Sequence, residues 1–405
     1  MSDTFLTDDS QLPSGLLTGT EAELALTGYE LSLPDPFGIE MPWEVLGAMI
    51  QGRSSIDLTA MPVYTEEEAR EFVASYGFDL DLPEDQAEME AYFIEAVHFI
   101  EHRFLTRSVD WEALGEPVIP LEKIPLSVTA NRNVLDLLLL ASQPNHPNRP
   151  WACALLKVIH TLVYIQNSPL YKHHAQASEA ILSRFREVLL PQGDGTILLK
   201  GRRARQLRLY AFEAKHHKPR ESILIKLLCK KENVAENVWD LVGVRLVTFR
   251  PAEALLAVDI LREQKVILFP NVIPSRSRNM LVDFEHLQAL YEQALSEYQQ
   301  GQRSLQSLQD FFQTADYVQP KEGPHNANPL SSPQYRSLHI TCRHLLRVKS
   351  GAGHTETRFA FPYEIQVLDK GSYLDSRIGD GAHAQYKQRQ LIAARRRVMG
   401  PLLKP

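Results

Sequence analysis

From about residue 36 to residue 190, apolar side chains mostly recur with the three-to-four spacing of a helix face. The stretch TEEEAREFVASYG (65–77) opens on Thr65 as a cap, places Glu68 three residues on and ends at Gly77, which predicts a bounded helix. DQAEMEAYFIEAVHFIEHRFL (85–105) predicts a longer amphipathic helix. NRNVLDLLLLAS (131–142) and PWACALLKVIHTLVYIQN (150–167) predict two buried helices, and HHAQASEAILSRFREVLL (173–190) one more. Residues 1–20 are polar and aperiodic, with Gly and Pro, so they are expected to be disordered. The pattern divides the chain into that acidic tail (1–20), an all-α region (21–194) and a second domain (195–405).

The texture changes at PQGDGTILLKG (191–201), a turn marked by Gly and Pro. Beyond it RQLRLYAFEAK (205–215) alternates as a strand does, RESILIKLLCKK (220–231) reads as a helix, and DLVGVRLVTF (240–249) as a strand rich in β-branched residues. PAEALLAVDILREQ (251–264) carries Pro in the first turn of a helix. Residues 282–313 read as a long helix or helical hairpin. Two strands follow, YRSLHITCRHL and FPYEIQVLD, and GAHAQYKQRQLIAARRRVM closes the chain as a basic helix. Strands and helices mixed in this way predict an α/β or α+β domain from about 195 to 405, and α+β is the fold class expected for the chain. Within PQYRSLHIT (333–341), read as a strand, Tyr335, Ser337 and His339 share one face and Arg336, Leu338 and Ile340 the other.

Composition narrows the class without changing the fold. No run of about 18 apolar residues is present, so no transmembrane helix is expected. The N-terminus lacks the basic flank and apolar core of a signal peptide. Cys153, Cys229 and Cys342 are far apart, which suits a reducing cytoplasm and neither a disulfide framework nor a cysteine zinc site. The net charge of −7 conceals an asymmetry: residues 1–100 hold 21 acids and 2 bases, the rest 29 acids and 41 bases. A basic second part suits polyphosphate or nucleic-acid ligands, although solvated charge spread unevenly would look the same.

Candidate chemistry gathers in that basic part. Residues 201–231 contain ten Lys/Arg against Glu213 and Glu221. Lys218, Arg220 and Lys226 lie where a strand turns into a helix, a setting suited to phosphate. Asp240 opens one strand, and Glu364 lies on another, on the same face as Gln366. Two such carboxylates on neighbouring strands could hold Mg²⁺. His98 and His102 have the i, i+4 spacing of a helical metal pair but no evident third ligand. No GxxxxGK[ST] loop and no HExxH occurs.

Four blocks in order resemble the synthetase domain of the RelA/SpoT family: HKPRESILIKLL, DLVGVRLVTF, YRSLHI, and YEIQVLD followed by GAHAQYK. The resemblance spans roughly residues 200–390. It implies a nucleotidyltransferase-like mixed sheet flanked by helices, and transfer of pyrophosphate from ATP to the 3′ hydroxyl of GTP or GDP. It also implies residue roles. Lys218 and Lys226 match ATP-phosphate contacts, with Arg220 beside them, and Asp240 and Glu364 match Mg²⁺ carboxylates. Tyr335 matches the tyrosine that stacks on guanine, and His339 the histidine near the acceptor phosphates. Gln366, His383 and Lys387 match the last strand and helix.

The chain also departs from the family. Pro333-Gln334 stands where Asn-Gly is usual. The upstream Lys-Asp-Tyr-Ile…Pro-Lys segment has two counterparts, ADYVQPK (315–321), with Lys321, and SRSRNMLV (275–282), with Arg276 and Arg278. The first is preferred, with insertions around 282–333. These departures leave open a tRNA 3′ end as acceptor, or a nucleotide- or RNA-binding sensor without catalysis. No His-Asp dipeptide marks the family's hydrolase, so the N-terminal helices are expected to be regulatory, structural or oligomerising.

Overall fold

The computed structural model describes residues 43–51, 54–105, 109–202, 205–215, 218–230, 240–315, 336–349, 356–377 and 383–403. The tail expected to be disordered lies outside them. The helical part comprises α1 (Trp43–Ile50), α2 (Glu66–Ala74), α3 (Pro83–Ile100), α4 (Leu126–Thr129), α5 (Val134–Ser142), α6 (Arg149–Asn167), α7 (Pro169–Lys172) and α8 (His174–Val188). The start of α2 is set as its sequence predicts. Thr65 Oγ1 accepts from the Glu68 amide at 3.2 Å while Glu68 Oε2 accepts from the Thr65 amide at 3.2 Å. Gly77, at φ +88°, turns the chain out of that segment. α3 ends in a π-helical turn over Glu101–Leu105. α6 is the axis of this part, with Leu155, Val158 and Leu162 wholly buried.

Two sheets follow. Leu189 ends the α8 helix, and Pro191 cannot continue one; β1 (Leu189–Pro191), β2 (Ile197–Lys200) and β3 (Gln206–Leu209) form a small antiparallel sheet. The single strand expected over 205–215 is therefore two. β3 pairs with β2, and after Tyr210 the chain crosses to a second sheet as β4 (Ala211–Lys215). The border expected at 194 falls in the turn between the paired strands β1 and β2.

The second sheet has the order β4-β5-β8-β7-β6. β5 (Val242–Thr248) runs parallel to β8 (Glu356–Asp369), and the other pairs, with β7 (Leu338–Lys349) and β6 (Arg278–Asn279), are antiparallel. Between the strands lie α9 (Arg220–Cys229), α10 (Glu253–Glu263), α11 (Phe284–Gln299), α12 (Leu305–Gln309) and α13 (Phe311–Thr314). The stretch 282–313 is thus a helical hairpin turning at Gly301, φ +72°. α14 (Lys370–Asp375) and α15 (His383–Met399) close the chain.

Residues 44–405 form one compact unit. Its main core is continuous from Leu162 of α6 through Ile223 and Leu227 of α9 to Val244 and Ile365 of the sheet and Ala394 of α15. The structure is α+β, with a mixed sheet flanked by helices. No described helix is long and apolar enough to cross a membrane.

Candidate functional site: a polar sheet face with two carboxylates

Strand pairing builds the site. Alternate residues of a strand face opposite sides. The register therefore puts Glu213 and Lys215 of β4, Gly243 and Arg245 of β5, Glu364 and Gln366 of β8, and His339 and Thr341 of β7 on one face. Arg278 of β6 stands opposite His339. The other face, with Val244, Leu246, Ile365 and Val367, is buried in the core. The neighbours of Gly243 are Lys215 and Glu364, and a Cβ added at Gly243 would meet no atom within 4 Å. Glycine leaves an open place on a face otherwise crowded with charge.

A hydrogen-bond chain crosses four strands. His339 Nδ1 donates to Glu364 Oε1 at 3.1 Å, since an ionised carboxylate can only accept. Gln366 Nε2 donates to Glu364 Oε2 at 3.0 Å. Gln366 Oε1 accepts from Arg245 Nε and Nη2 at 3.2 and 3.1 Å. Arg245 Nη1 reaches Glu213 at 3.2 Å, and Glu213 also takes Tyr373 Oη at 2.6 Å and the Arg377 guanidinium. Each side chain restrains its neighbour's rotamer.

Asp240 lies two residues before β5, at the strand end nearest Glu364. Both its oxygens carry an ammonium group: Lys218 at 2.9 Å, from the segment before α9, and Lys226, from within α9. Burial by itself would raise the Asp240 carboxyl, but the two lysines outweigh it and hold the carboxyl well below the usual range. Burial likewise opposes ionisation of Glu364, as does the Asp240 charge, yet the His339 hydrogen bond prevails and lowers it. The lysines are not equivalent. Burial takes Lys218 down to about 8, whereas for Lys226 attraction to Asp240 exceeds burial and the ammonium is held above its usual range. Lys230, at the end of α9, is also pushed down to about 8, by burial and then by the charges of Lys226 and Arg276. The result is two ionised carboxylates edged by cations, two of which, Lys218 and Lys230, give up their protons at about 8.

The structure sorts the residues expected from sequence. Lys218, Lys226, Asp240, Glu364, Gln366 and His339 meet on this face. Arg220 turns the other way: its Nε pairs with Glu95 at 3.0 Å, its Nη1 donates to Gln166 at 2.9 Å, and its guanidinium stands 5.8 Å from the Tyr171 ring centre. Lys387 is exposed on α15, and its charge acts on Lys215. Tyr335, Lys321 and the ADYVQPK segment after Ala315 lie outside the described residues, and His383 marks the start of α15. His98 and His102 stack with ring centres 4.0 Å apart, and no group of three metal-ligating side chains occurs among the described residues.

Sequence reasoning gave no role to Glu213, Lys215, Arg245 or Lys230. Alternation within AFEAK and VGVRLV already put Glu213 with Lys215 and Gly243 with Arg245. Only the pairing of β4 with β5 and of β5 with β8 shows that these faces coincide.

The donors suit a hard divalent cation. Asp240 and Glu364 offer carboxylate oxygen alone, and the remaining positions would fall to water and phosphate, as Mg²⁺ accepts. Phosphate oxygens would also give Lys218 and Lys226 partners other than Asp240.

No family model matches the chain, and no curated protein matches it in sequence. Solved structures show remote likeness. Small alarmone synthetase 1 from Bacillus subtilis is 14% identical, with a TM-score of 0.27 over 55% of this chain and 86% of that one. A GTP pyrophosphokinase family protein from Streptococcus pneumoniae is 14% identical, with a TM-score of 0.27 over 56% and 84%. Small alarmone synthetase 2 from Bacillus subtilis is 16% identical, with a TM-score of 0.26 over 55% and 86%. At such scores, what this chain binds has to be read from its own residues.

Proposed function

We propose that the protein is a Mg²⁺-dependent pyrophosphokinase that transfers pyrophosphate from ATP to the 3′ hydroxyl of a guanine nucleotide, on a nucleotidyltransferase-like sheet. The observation that carries this reading is the pairing of two ionised, half-buried carboxylates, Asp240 and Glu364, on a face edged by Lys218, Lys226 and Lys230. Phosphoryl-type transfer needs charge neutralisation and alignment more than a covalent intermediate.

Asp240 and Glu364 would hold Mg²⁺, which neutralises phosphate charge and orients the transferred group. Lys218 and Lys226 bind the ATP phosphates. The acceptor 3′ oxygen attacks the β-phosphorus, the bond to the oxygen shared with the α-phosphorus breaks, and AMP leaves. Glu364, or a water that it orients, takes the proton of the attacking hydroxyl. His339, with Tyr335, Lys321, Gln366 and Lys387, is assigned to the acceptor. Arg220 supports α9 from behind. The free thiols and the need for ATP fit the cytoplasm.

The test is incubation of the full chain with Mg²⁺ and ATP labelled at the γ-phosphate, with GTP, GDP or tRNA as acceptor. AMP and a labelled guanine nucleotide are expected. Label on tRNA alone would reassign the acceptor, and no AMP with any acceptor would end the proposal.

A further inference from the structure

The helical part contains a cavity of about 270 Å³ that the proposed reaction does not use. Its walls come from α1, α2, α3, α5 and α6 and the segment 55–62, and include Phe72, Met89, Leu138 and Val163. At ~30 Å³ per water-sized volume, it has room for roughly nine such volumes, so a ligand on the order of ten non-hydrogen atoms fits. An apolar cavity with a few placed polar groups is the usual form of a small-molecule site.

One wall carries a buried amine. Lys157 lines the cavity and is only 7% exposed. Among the described residues its amine makes one hydrogen bond, a long one of 3.4 Å to the Arg397 carbonyl, and no ion pair. The two acids whose charge reaches it are otherwise engaged. Asp57 is held by Arg397 Nε and Nη2 at 2.6 and 2.9 Å, and Glu44 by the Thr59 amide and hydroxyl at 2.7 and 3.0 Å. Burial pulls Lys157 below its usual range, and an anion entering the cavity would favour its charged form. The other polar lining is neutral and self-satisfied: His160 Nδ1 meets Tyr76 Oη at 2.8 Å and Nε2 meets Ser55 Oγ at 3.3 Å. Burial takes His160 down to about 4, so it adds no charge near neutrality.

We propose that this cavity binds a small amphipathic carboxylate, its hydrocarbon body among the apolar walls and its head on Lys157. Octanoate, with ten non-hydrogen atoms, is the probe. Titration calorimetry on the full chain at pH 7 compares octanoate with octanol and octylamine, and repeats the series on Lys157→Met and on Val163→Phe. Saturable one-to-one binding of octanoate is expected, about tenfold tighter than octanol and tighter still than octylamine. Lys157→Met should bring octanoate down to the level of octanol, and Val163→Phe should weaken both. Absence of saturable octanoate binding overturns the proposal. So does equal affinity for octanoate and octylamine, or undiminished octanoate binding by folded Lys157→Met. The wild-type comparison stands even if a variant fails to fold.

Discussion

Asp240 concentrates the electrostatics of the site in one side chain. Its carboxylate stays ionised because two ammonium groups offset its burial. Asp240→Asn and Glu364→Gln should each lower AMP release by at least ~100-fold, the scale of losing one well-placed charge contact, with the circular dichroism spectrum unchanged. Full activity in Glu364→Gln would refute the carboxylate assignment. Lys218 gives the site a pH dependence. Its folded value of about 8 lies below the usual 10.5, so it is charged at pH 7 and neutral at pH 9. Lys230 behaves alike. Nucleotide affinity measured without turnover should therefore fall as pH rises through about 8. Lys218→Arg remains charged and should make that fall shallower. A pH-independent affinity between 7 and 9.5 would contradict the role given to Lys218.

At the scale of elements, β5 and α9 separate function from stability. In Gly243→Val the added Cβ meets no atom within 4 Å, and valine favours strands. The variant should melt within about 0.5 kcal/mol of wild type, yet lose nucleotide binding, because the side chain fills the open place between Lys215 and Glu364. Tight binding by a folded Gly243→Val would place the ligand elsewhere. Arg220→Met should do the reverse. It removes the link from α9 to Glu95 and Gln166 and should cost about 1 kcal/mol of stability with nucleotide affinity unchanged. Parallel melting and binding curves on the two variants test both.

The whole molecule explains part of the charge asymmetry along the chain. Acids from the first hundred residues meet bases from the rest: Asp57 with Arg397, and Glu95 with Arg220. The basic surplus after residue 100 therefore serves the joining of helices to sheet as well as ligands. The helical part depends on that joining, because α6 packs against both α9 and α15. Arg397 bonds the carbonyls of Leu228 and Lys230 at the end of α9, and Arg395 bonds those of Phe104 and Pro117. A fragment of residues 1–194 would expose the α6 face and is expected to aggregate or lack a cooperative melt. A sharp melt with near-ultraviolet dichroism would show instead that it folds alone.

Local order was legible in the sequence. The Thr65–Glu68 cap, the long apolar α6, the turn after β1 and the alternation of YEIQ and VGVR follow from interactions within a few residues. So do the parities that put Glu364 with Gln366 and Gly243 with Arg245. The tertiary structure decided which faces meet. Residues 205–215 divide between two sheets because different partners claim each half. Arg220 leaves the basic cluster because Glu95, 125 residues earlier, offers it an ion pair. Asp240 and Glu364 come together because β5 and β8 pair in parallel across an intervening chain of more than a hundred residues. Strand pairing and burial are non-local, and no pattern within a short window encodes them.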